Sequence, residues 1–117
     1  MKATIYHNPR CSKSREALAR LETLGLDVEI VDYLSTPPDA ETLRGLIADA
    51  GLTPLQAMRV DEPEFAALNL GAADAEGLIQ AIASHPKLLN RPIVTTPLGT
   101  RLCRPAERLD EILPPSA

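Results

Sequence analysis

Apolar and polar positions first follow the period of a strand and then that of a helix. Ala3-Thr4-Ile5-Tyr6 has the residue types of a short strand, and an amphipathic helix follows it and ends at Gly25. The next segment, Leu26-Asp27-Val28-Glu29-Ile30, alternates apolar and acidic residues and predicts a second strand. A strand-helix-strand unit implies two parallel strands joined by a right-handed crossover. The apolar residues at helical spacing between the strands are Ala17, Leu18, Leu21 and Leu24.

The middle of the chain has the pattern of helices alone. Pro37-Pro38 interrupts the chain, Asp39 can cap the helix that follows, and Gly51 ends that helix. Its apolar stripe consists of Ala40, Leu43, Leu46, Ile47 and Ala50. Further helices are predicted at Thr53-Pro54, near Glu62-Pro63 and from Asp74 to about Ser84.

Residue types that are typical of strands occur again near the carboxyl end of the chain. Pro92–Thr96 and Thr100–Cys103 flank a Pro97-Leu98-Gly99 turn, which predicts a hairpin. A last helix is predicted from Pro105 to about Leu113, and Pro114-Pro115 predicts the start of a short tail.

The order of elements predicts the fold class. The order β-α-β, helical insert, β-β-α is that of an α/β protein with a thioredoxin-like core and an inserted helical subdomain. We expect a single domain over residues 1–117, with the core at about 1–35 and 86–113 and the insertion at about 36–85.

Composition limits the classes of protein that fit this pattern. The 117 residues are 44% hydrophobic but only 3% aromatic, which suits one core of aliphatic side chains. Scattered single aromatics and a formal net charge of −4 argue against nucleic-acid binding, which relies on basic patches and stacking platforms. No apolar run has the length of a signal peptide or a membrane span. We therefore expect a cytoplasmic protein that does not enter a membrane.

Cys11 lies between the first strand and the first helix, where a thiol can become reactive. The first turn of a helix presents unpaired N–H groups and the positive end of the helix dipole, which also suit an anion. With nearby cations, this position lowers a thiol pKa from ~8.5 to roughly 3.5–7.5. Arg10, Lys13 and Arg15 supply such cations and favour a nucleophile over a small buried residue that closes a turn. His7, four residues earlier, is a candidate to stabilise or form the thiolate, or a structural residue at the strand end.

Three arginines at the ends of elements are candidates for binding an oxyanion. Arg59 follows a short helical segment, Arg91 precedes the hairpin and Arg104 ends it. The planar guanidinium fork binds tetrahedral oxyanions through two parallel hydrogen bonds and keeps its charge at all relevant pH values. In a thioredoxin-like arrangement the loop before the hairpin lies beside the amino end of the first helix. We therefore expect Arg91 to approach Cys11.

Spacing excludes several other kinds of site. Ser14 stands three residues beyond Cys11, so the chain has no CxxC dithiol and a resolving thiol must come from elsewhere. The Cys-x5-Arg phosphate loop is also absent, because Ala17 falls where its arginine would be. Two cysteines in a reducing compartment predict no structural disulfide. No metal site is expected, because the possible zinc ligands lack paired short spacing. They are His7, Cys11, His85 and Cys103.

Two longer motifs carry a resemblance to a known family. They are IYHNPRCSKSR, Ile5–Arg15, and HPKLLNRPIVTTPLGTRLCRP, His85–Pro105. Both closely resemble the ArsC family of glutaredoxin-linked arsenate reductases. The resemblance extends over nearly the whole chain and includes Met58-Arg59, followed by Glu62, Phe65 and Leu68.

The resemblance implies an activity in arsenic detoxification. A thiolate would attack arsenate and displace water, glutathione would attack the adduct as a co-substrate, and glutaredoxin would resolve the mixed species and release arsenite. No tightly bound cofactor is implied. The residues that match the family's site are Cys11 as nucleophile, Arg59, Arg91 and Arg104 as oxyanion ligands, His7 near the nucleophile, and Ser14, whose hydroxyl assists the thiolate.

Two alternative functions remain open at the level of sequence. Spx-type regulators share the ArsC-like fold and act by binding RNA polymerase, but their redox-sensing members carry a CxxC that this chain lacks. A glutathione-dependent oxidoreductase that acts on another substrate would keep the Cys11 chemistry and change only the substrate.

Overall fold

The computed structural model describes residues 1–114, which form two compact units. The first unit comprises Met1–Tyr33 and the chain from Arg91 onward, and the second comprises Leu34–Asn90. The tail predicted to begin at Pro114-Pro115 lies, after Pro114, outside the described residues. The expectation of a single domain over residues 1–117 stays a prediction.

The first unit is built on a four-stranded sheet. Its strands are β1 (Lys2–His7), β2 (Asp27–Asp32), β3 (Ile93–Thr96) and β4 (Gly99–Leu102), in the order β2-β1-β3-β4. β1 is parallel to β2 and antiparallel to β3, which is antiparallel to β4. Helix α1 (Ser12–Thr23) joins β1 to β2, and a 3-10 helix, Ala106–Ile112, follows β4. This arrangement confirms the predicted parallel strand pair, the predicted hairpin and the α/β thioredoxin-like fold class, and the handedness of the crossover stays a prediction.

One face of the sheet and the helices beside it form the core of the first unit. Strand alternation places Ala3 and Ile5 on the same face of β1, where both are buried. They belong to one apolar cluster with residues of α1, β3 and the 3-10 helix. At the end of α1, Gly25 adopts a φ of 76°, and its N–H donates to the Glu22 carbonyl oxygen (3.0 Å). The cluster includes Ala17, Leu21, Val94, Cys103, Leu109 and Ile112.

The second unit contains helices α2 (Ala40–Asp49), α3 (Pro63–Ala67) and α4 (Ala75–Ser84), with short 3-10 helices at Leu70–Ala72 and Pro86–Leu88. Asp39 and Asp74 cap α2 and α4, since each side chain accepts a hydrogen bond of 2.8 Å from a backbone N–H of the first turn. The cap predicted at Asp39 is therefore confirmed. Within residues 1–114 the longest helix, α1, has 12 residues, and no helix is long and apolar enough to cross a membrane.

Three expectations about the local structure need correction. Thr53 and Gln56 bond each other's backbone N–H groups through their side chains, as in a capping box, but the chain there forms a turn and no helix begins at this point. The middle segment is not entirely helical, because Met58 and Leu89 form an antiparallel bridge. The last helix is a 3-10 helix, whose three residues per turn place the buried Leu109 and Ile112 on one side.

Candidate active site

The loop before α1 holds its shape through its own hydrogen bonds. The Cys11 N–H donates to the Asn8 carbonyl oxygen (3.0 Å), and the Asn8 N–H donates to Ser14 Oγ (3.1 Å). The Arg10 N–H donates to Asn8 Oδ1 (3.0 Å), and the Arg15 guanidinium donates to the Pro9 carbonyl oxygen (3.0 Å). These bonds fix Cys11 at the N-cap of α1 in an extended conformation, φ −92° and ψ 122°.

The environment of Cys11 favours the thiolate. Burial acts in the opposite direction and would raise the pKa of the Cys11 thiol. The backbone N–H groups of Ser14 and Lys13 and the positive charges of Arg91 and Arg104 outweigh that effect, so the pKa of Cys11 lies below its ordinary value. Only 9% of the Cys11 residue is exposed, which shields it from bulk water.

The sheet topology brings two of the predicted arginines to the nucleophile. Tyr6 pairs with Ile93 in antiparallel register, so the end of β1 that leads to Cys11 lies beside the start of β3. Because β3 and β4 form a hairpin, the start of β3 and the end of β4 lie at the same edge. Arg91 precedes β3 and Arg104 follows β4, so both arginines belong to this edge.

Arg104 contacts the sulfur directly. Its Nη1 lies 3.9 Å from Cys11 Sγ and donates to the Arg91 carbonyl oxygen at 3.2 Å. One guanidinium therefore touches both the nucleophile and the backbone of the second arginine. Arg91 is partly buried, and its peptide bond to Pro92 is cis, as is the Arg104-Pro105 bond.

His7 and Ser14 lie on either side of the loop in sequence, and both are buried. Burial lowers the pKa of His7 more than nearby Asp32 raises it, which favours the neutral form of the ring. Among residues 1–114, its buried Nδ1 has no hydrogen-bond partner. The Ser14 hydroxyl accepts the Asn8 N–H, so its observed contact positions the loop. Their roles in supporting the thiolate stay predictions.

Arg59 lies in the second unit, so the structure groups Cys11, Arg91 and Arg104 in one unit and Arg59 in the other. Arg59 forms ion pairs with Glu62 (2.5 Å) and Asp61 (3.5 Å). Sequence reasoning did not identify the contact of Glu62 with Arg59 or the hydrogen bonds of the loop residue Asn8. The signal for Glu62 was its i,i+3 spacing from Arg59, and that for Asn8 was an Asn-Pro turn before a helix.

Cys103 has the opposite character to Cys11. It is fully buried in the core cluster, and burial raises the pKa of its thiol to about 12. Its sulfur lies 3.7 Å from the Arg101 carbonyl oxygen, to which it donates. Within residues 1–114, no group of three or more His, Cys, Asp or Glu residues is arranged to hold a metal ion.

The two thiols should therefore differ in reactivity. We expect iodoacetamide to alkylate Cys11 of the native protein with a pH midpoint below the ~8.5 of an unperturbed thiol, and to leave Cys103 unmodified. Mass spectrometry of peptides from a pH series measures both rates. The protein unfolded in guanidinium is the control, because both thiols should then react with one ordinary midpoint. A native Cys11 midpoint at or above that of the unfolded chain would contradict the lowered pKa.

The fold and site define a class of protein: a thioredoxin-like domain with a single activated thiol at the amino end of its first helix and arginines beside it. The ArsC family model matches residues 6–112. The chain belongs to the ArsC family, as the resemblance predicted.

Similar proteins cover almost the whole chain. An arsenate reductase of Rhizobium meliloti is 48% identical over 97% of this chain and 83% of its own length. An uncharacterized Escherichia coli protein, YfgD, is 46% identical over 93% of this chain and 94% of its own. Among solved structures, an arsenate reductase from Vibrio cholerae is 44% identical to this chain, with a TM-score of 0.91. The match covers 97% of this chain and 98% of the Vibrio cholerae chain.

Proposed function

We propose that this protein is an arsenate reductase that uses Cys11 as its nucleophile. The observation that carries the proposal is the Cys11 thiol with its lowered pKa and Arg104 3.9 Å from its sulfur. Support comes from the relatives named arsenate reductase that are nearly half identical to this chain along most of its length. Both observations fit a nucleophile that attacks an oxyanion.

The reaction needs two electrons, and the chain offers one accessible thiol. The Cys11 thiolate attacks arsenic(V) and forms an S–As bond, and an arsenate oxygen leaves as water after protonation. Glutathione, the co-substrate, attacks the adduct at arsenic and displaces a second oxygen as water. Glutaredoxin attacks the glutathione sulfur, and the S–As electron pair reduces arsenic(V) to arsenic(III). Hydrolysis of the remaining S–As bond releases arsenite and the Cys11 thiol.

The positive charges of the arginines assist the attack of the thiolate on arsenate. A thiolate and an arsenate anion repel each other, and Arg91 and Arg104 offset that repulsion at the edge where Cys11 lies. Preorganised donors of this kind also stabilise the charge that develops on the arsenate oxygens. We propose Arg59 as a third oxyanion ligand on the basis of the family resemblance. Glutathione and glutaredoxin place the reaction in the cytoplasm, and no tightly bound cofactor takes part in it.

Turnover of the wild-type protein tests the proposal. We expect arsenate-dependent oxidation of NADPH in a mixture of the protein, glutathione, glutaredoxin and glutathione reductase, with one arsenite formed per NADPH consumed. Omission of arsenate, glutathione or glutaredoxin should each stop the reaction. If the folded protein gives no turnover with several glutaredoxins, arsenate is not its substrate.

That negative result would give weight to the two other functions. A glutathione-dependent oxidoreductase with another substrate would still lose activity when Cys11 is replaced by serine. A regulator would instead bind RNA polymerase in a pull-down that the Cys11→Ser change leaves intact.

A further inference from the structure

Arg59 is held by a carboxylate of the same unit. Its Nη1 lies 2.5 Å from Glu62 Oε1, and the two side chains are only 22% and 17% exposed. Asp61 lies farther from the guanidinium, at 3.5 Å from Nη2, and its own side chain is 75% exposed. The close, shielded partner of Arg59 is therefore Glu62.

The backbone of Arg59 is fixed independently of this ion pair. Its N–H donates to the Leu88 carbonyl oxygen at 2.7 Å, next to the bridge between Met58 and Leu89. Its carbonyl oxygen accepts the Glu62 N–H at 3.3 Å, which closes a turn and brings the two side chains to the same side. With the backbone anchored, the direction of the guanidinium depends on what its side chain contacts.

Glu62 occupies a helix N-cap without acting as a cap. Asp39 and Asp74, the N-caps of α2 and α4, each accept a backbone N–H of the first turn, whereas Glu62, the N-cap of α3, makes no side-chain cap bond. Glutamate is not a favoured N-cap residue, so capping does not account for its position. The contact that its carboxylate does make is the ion pair with Arg59.

We infer that Glu62 is a positioning residue that holds the Arg59 guanidinium in a fixed orientation for the oxyanion substrate. The inference rests on the proposed role of Arg59 in binding arsenate. A guanidinium has five N–H donors in one plane, so an ion pair at one edge fixes that plane while other donors remain to bind an oxyanion. Glu62 acts through Arg59 and does not itself touch the substrate.

Kinetics of three variants test the inference. Glu62→Ala removes the contact, and we expect the KM for arsenate to rise about tenfold with kcat changed by less than about twofold. Glu62→Gln keeps an oxygen that accepts the Arg59 N–H, so it should restore most of the affinity. Asp61→Asn is the matched control, and its KM should stay within about twofold of wild type because the contact is long and exposed.

A double-mutant cycle separates orientation of Arg59 from a general effect on folding. In an Arg59→Ala background, Glu62→Ala should raise KM by less than about twofold further, since there is no guanidinium left to orient. An unchanged KM in Glu62→Ala would overturn the inference. So would an equal rise with and without Arg59, or a lower denaturation midpoint with normal KM, which indicates a purely structural role.

Binding without turnover keeps this inference distinct from the proposed function. Inorganic arsenate is titrated calorimetrically into Cys11→Ser protein with and without Glu62→Ala, and we expect about tenfold weaker binding in the double variant. If the wild type fails to reduce arsenate but this difference is seen, the proposed reaction is wrong and Glu62 still positions Arg59. Equal binding, or no binding by Cys11→Ser protein, would refute the role of Glu62 even if the wild type is active.

Discussion

Replacing Cys11 by serine is expected to reduce arsenate turnover by a factor on the order of 10³ or more. A serine hydroxyl remains protonated at neutral pH, so the N–H groups of Ser14 and Lys13 and the charges of Arg91 and Arg104 have no thiolate to stabilise. An alcohol also forms no S–As adduct for glutathione to attack. The measurement is arsenate-dependent NADPH oxidation in the coupled assay with saturating glutathione and glutaredoxin.

The same substitution at the other cysteine is the matched control. Cys103→Ser removes a buried sulfur that the proposed reaction does not use, and a serine hydroxyl can still donate to the Arg101 carbonyl oxygen. Turnover should remain within about twofold of wild type at temperatures where the variant is folded. A complete loss in Cys103→Ser would make that residue a resolving thiol, and more than about one tenth of wild-type turnover in Cys11→Ser would exclude Cys11 as the nucleophile.

The second large effect is expected from Arg104→Ala, which should lower kcat/KM for arsenate by about 10². The change removes the guanidinium whose Nη1 lies 3.9 Å from Cys11 Sγ and its hydrogen bond to the Arg91 carbonyl oxygen. Two consequences follow: the oxyanion loses a ligand, and the thiolate loses a stabilising cation. Since a cation lowers a thiol pKa, its removal should raise the pKa of Cys11, so less thiolate is present at neutral pH.

Two measurements separate these consequences. The pH dependence of Cys11 alkylation should shift to a higher midpoint in Arg104→Ala, and kcat/KM should recover only partly when the pH is raised to restore the thiolate. Arg20→Ala is a suitable control, because Arg20 forms an exposed ion pair with Asp110 in the same unit. An alkylation midpoint identical to that of wild type would show that Arg104 does not act on the thiolate.

Local patterns were sufficient to predict most of the fold. The strand alternation around Ile5, the helical spacing of Ala17 and Leu21 and the turn before Gly99 each involve neighbours in sequence, and the corresponding elements are present. The prediction of a helix at Thr53-Pro54 was wrong because of a contact with a distant residue, which a local sequence pattern does not show. The capping bonds form, but the chain turns away after one turn to pair Met58 with Leu89, a residue far along the chain.

The candidate site was predictable to the extent that it depends on topology. A hairpin antiparallel to β1 brings Arg91 and Arg104 to the edge where Cys11 lies, and of these two placements residue types and element order predicted that of Arg91. The pKa direction of His7 was not predictable, because it depends on the balance of burial against the charge of Asp32. The choice of Glu62 over Asp61 as the close partner of Arg59 was likewise not predictable, since a sequence does not show which of the two carboxylates is shielded from water.

The burial of Cys103 in the core determines how the folded protein reacts with an oxidant. With one of its two cysteines enclosed in the core, the native protein behaves as a monothiol. A protein with two reactive thiols can form an internal disulfide and so hold two oxidising equivalents. A protein with one reactive thiol must transfer them to another molecule. An oxidised Cys11 is therefore reduced only as fast as thiols of other molecules react with it. The time for which each molecule stays active then depends on the concentration of reducing thiols around it.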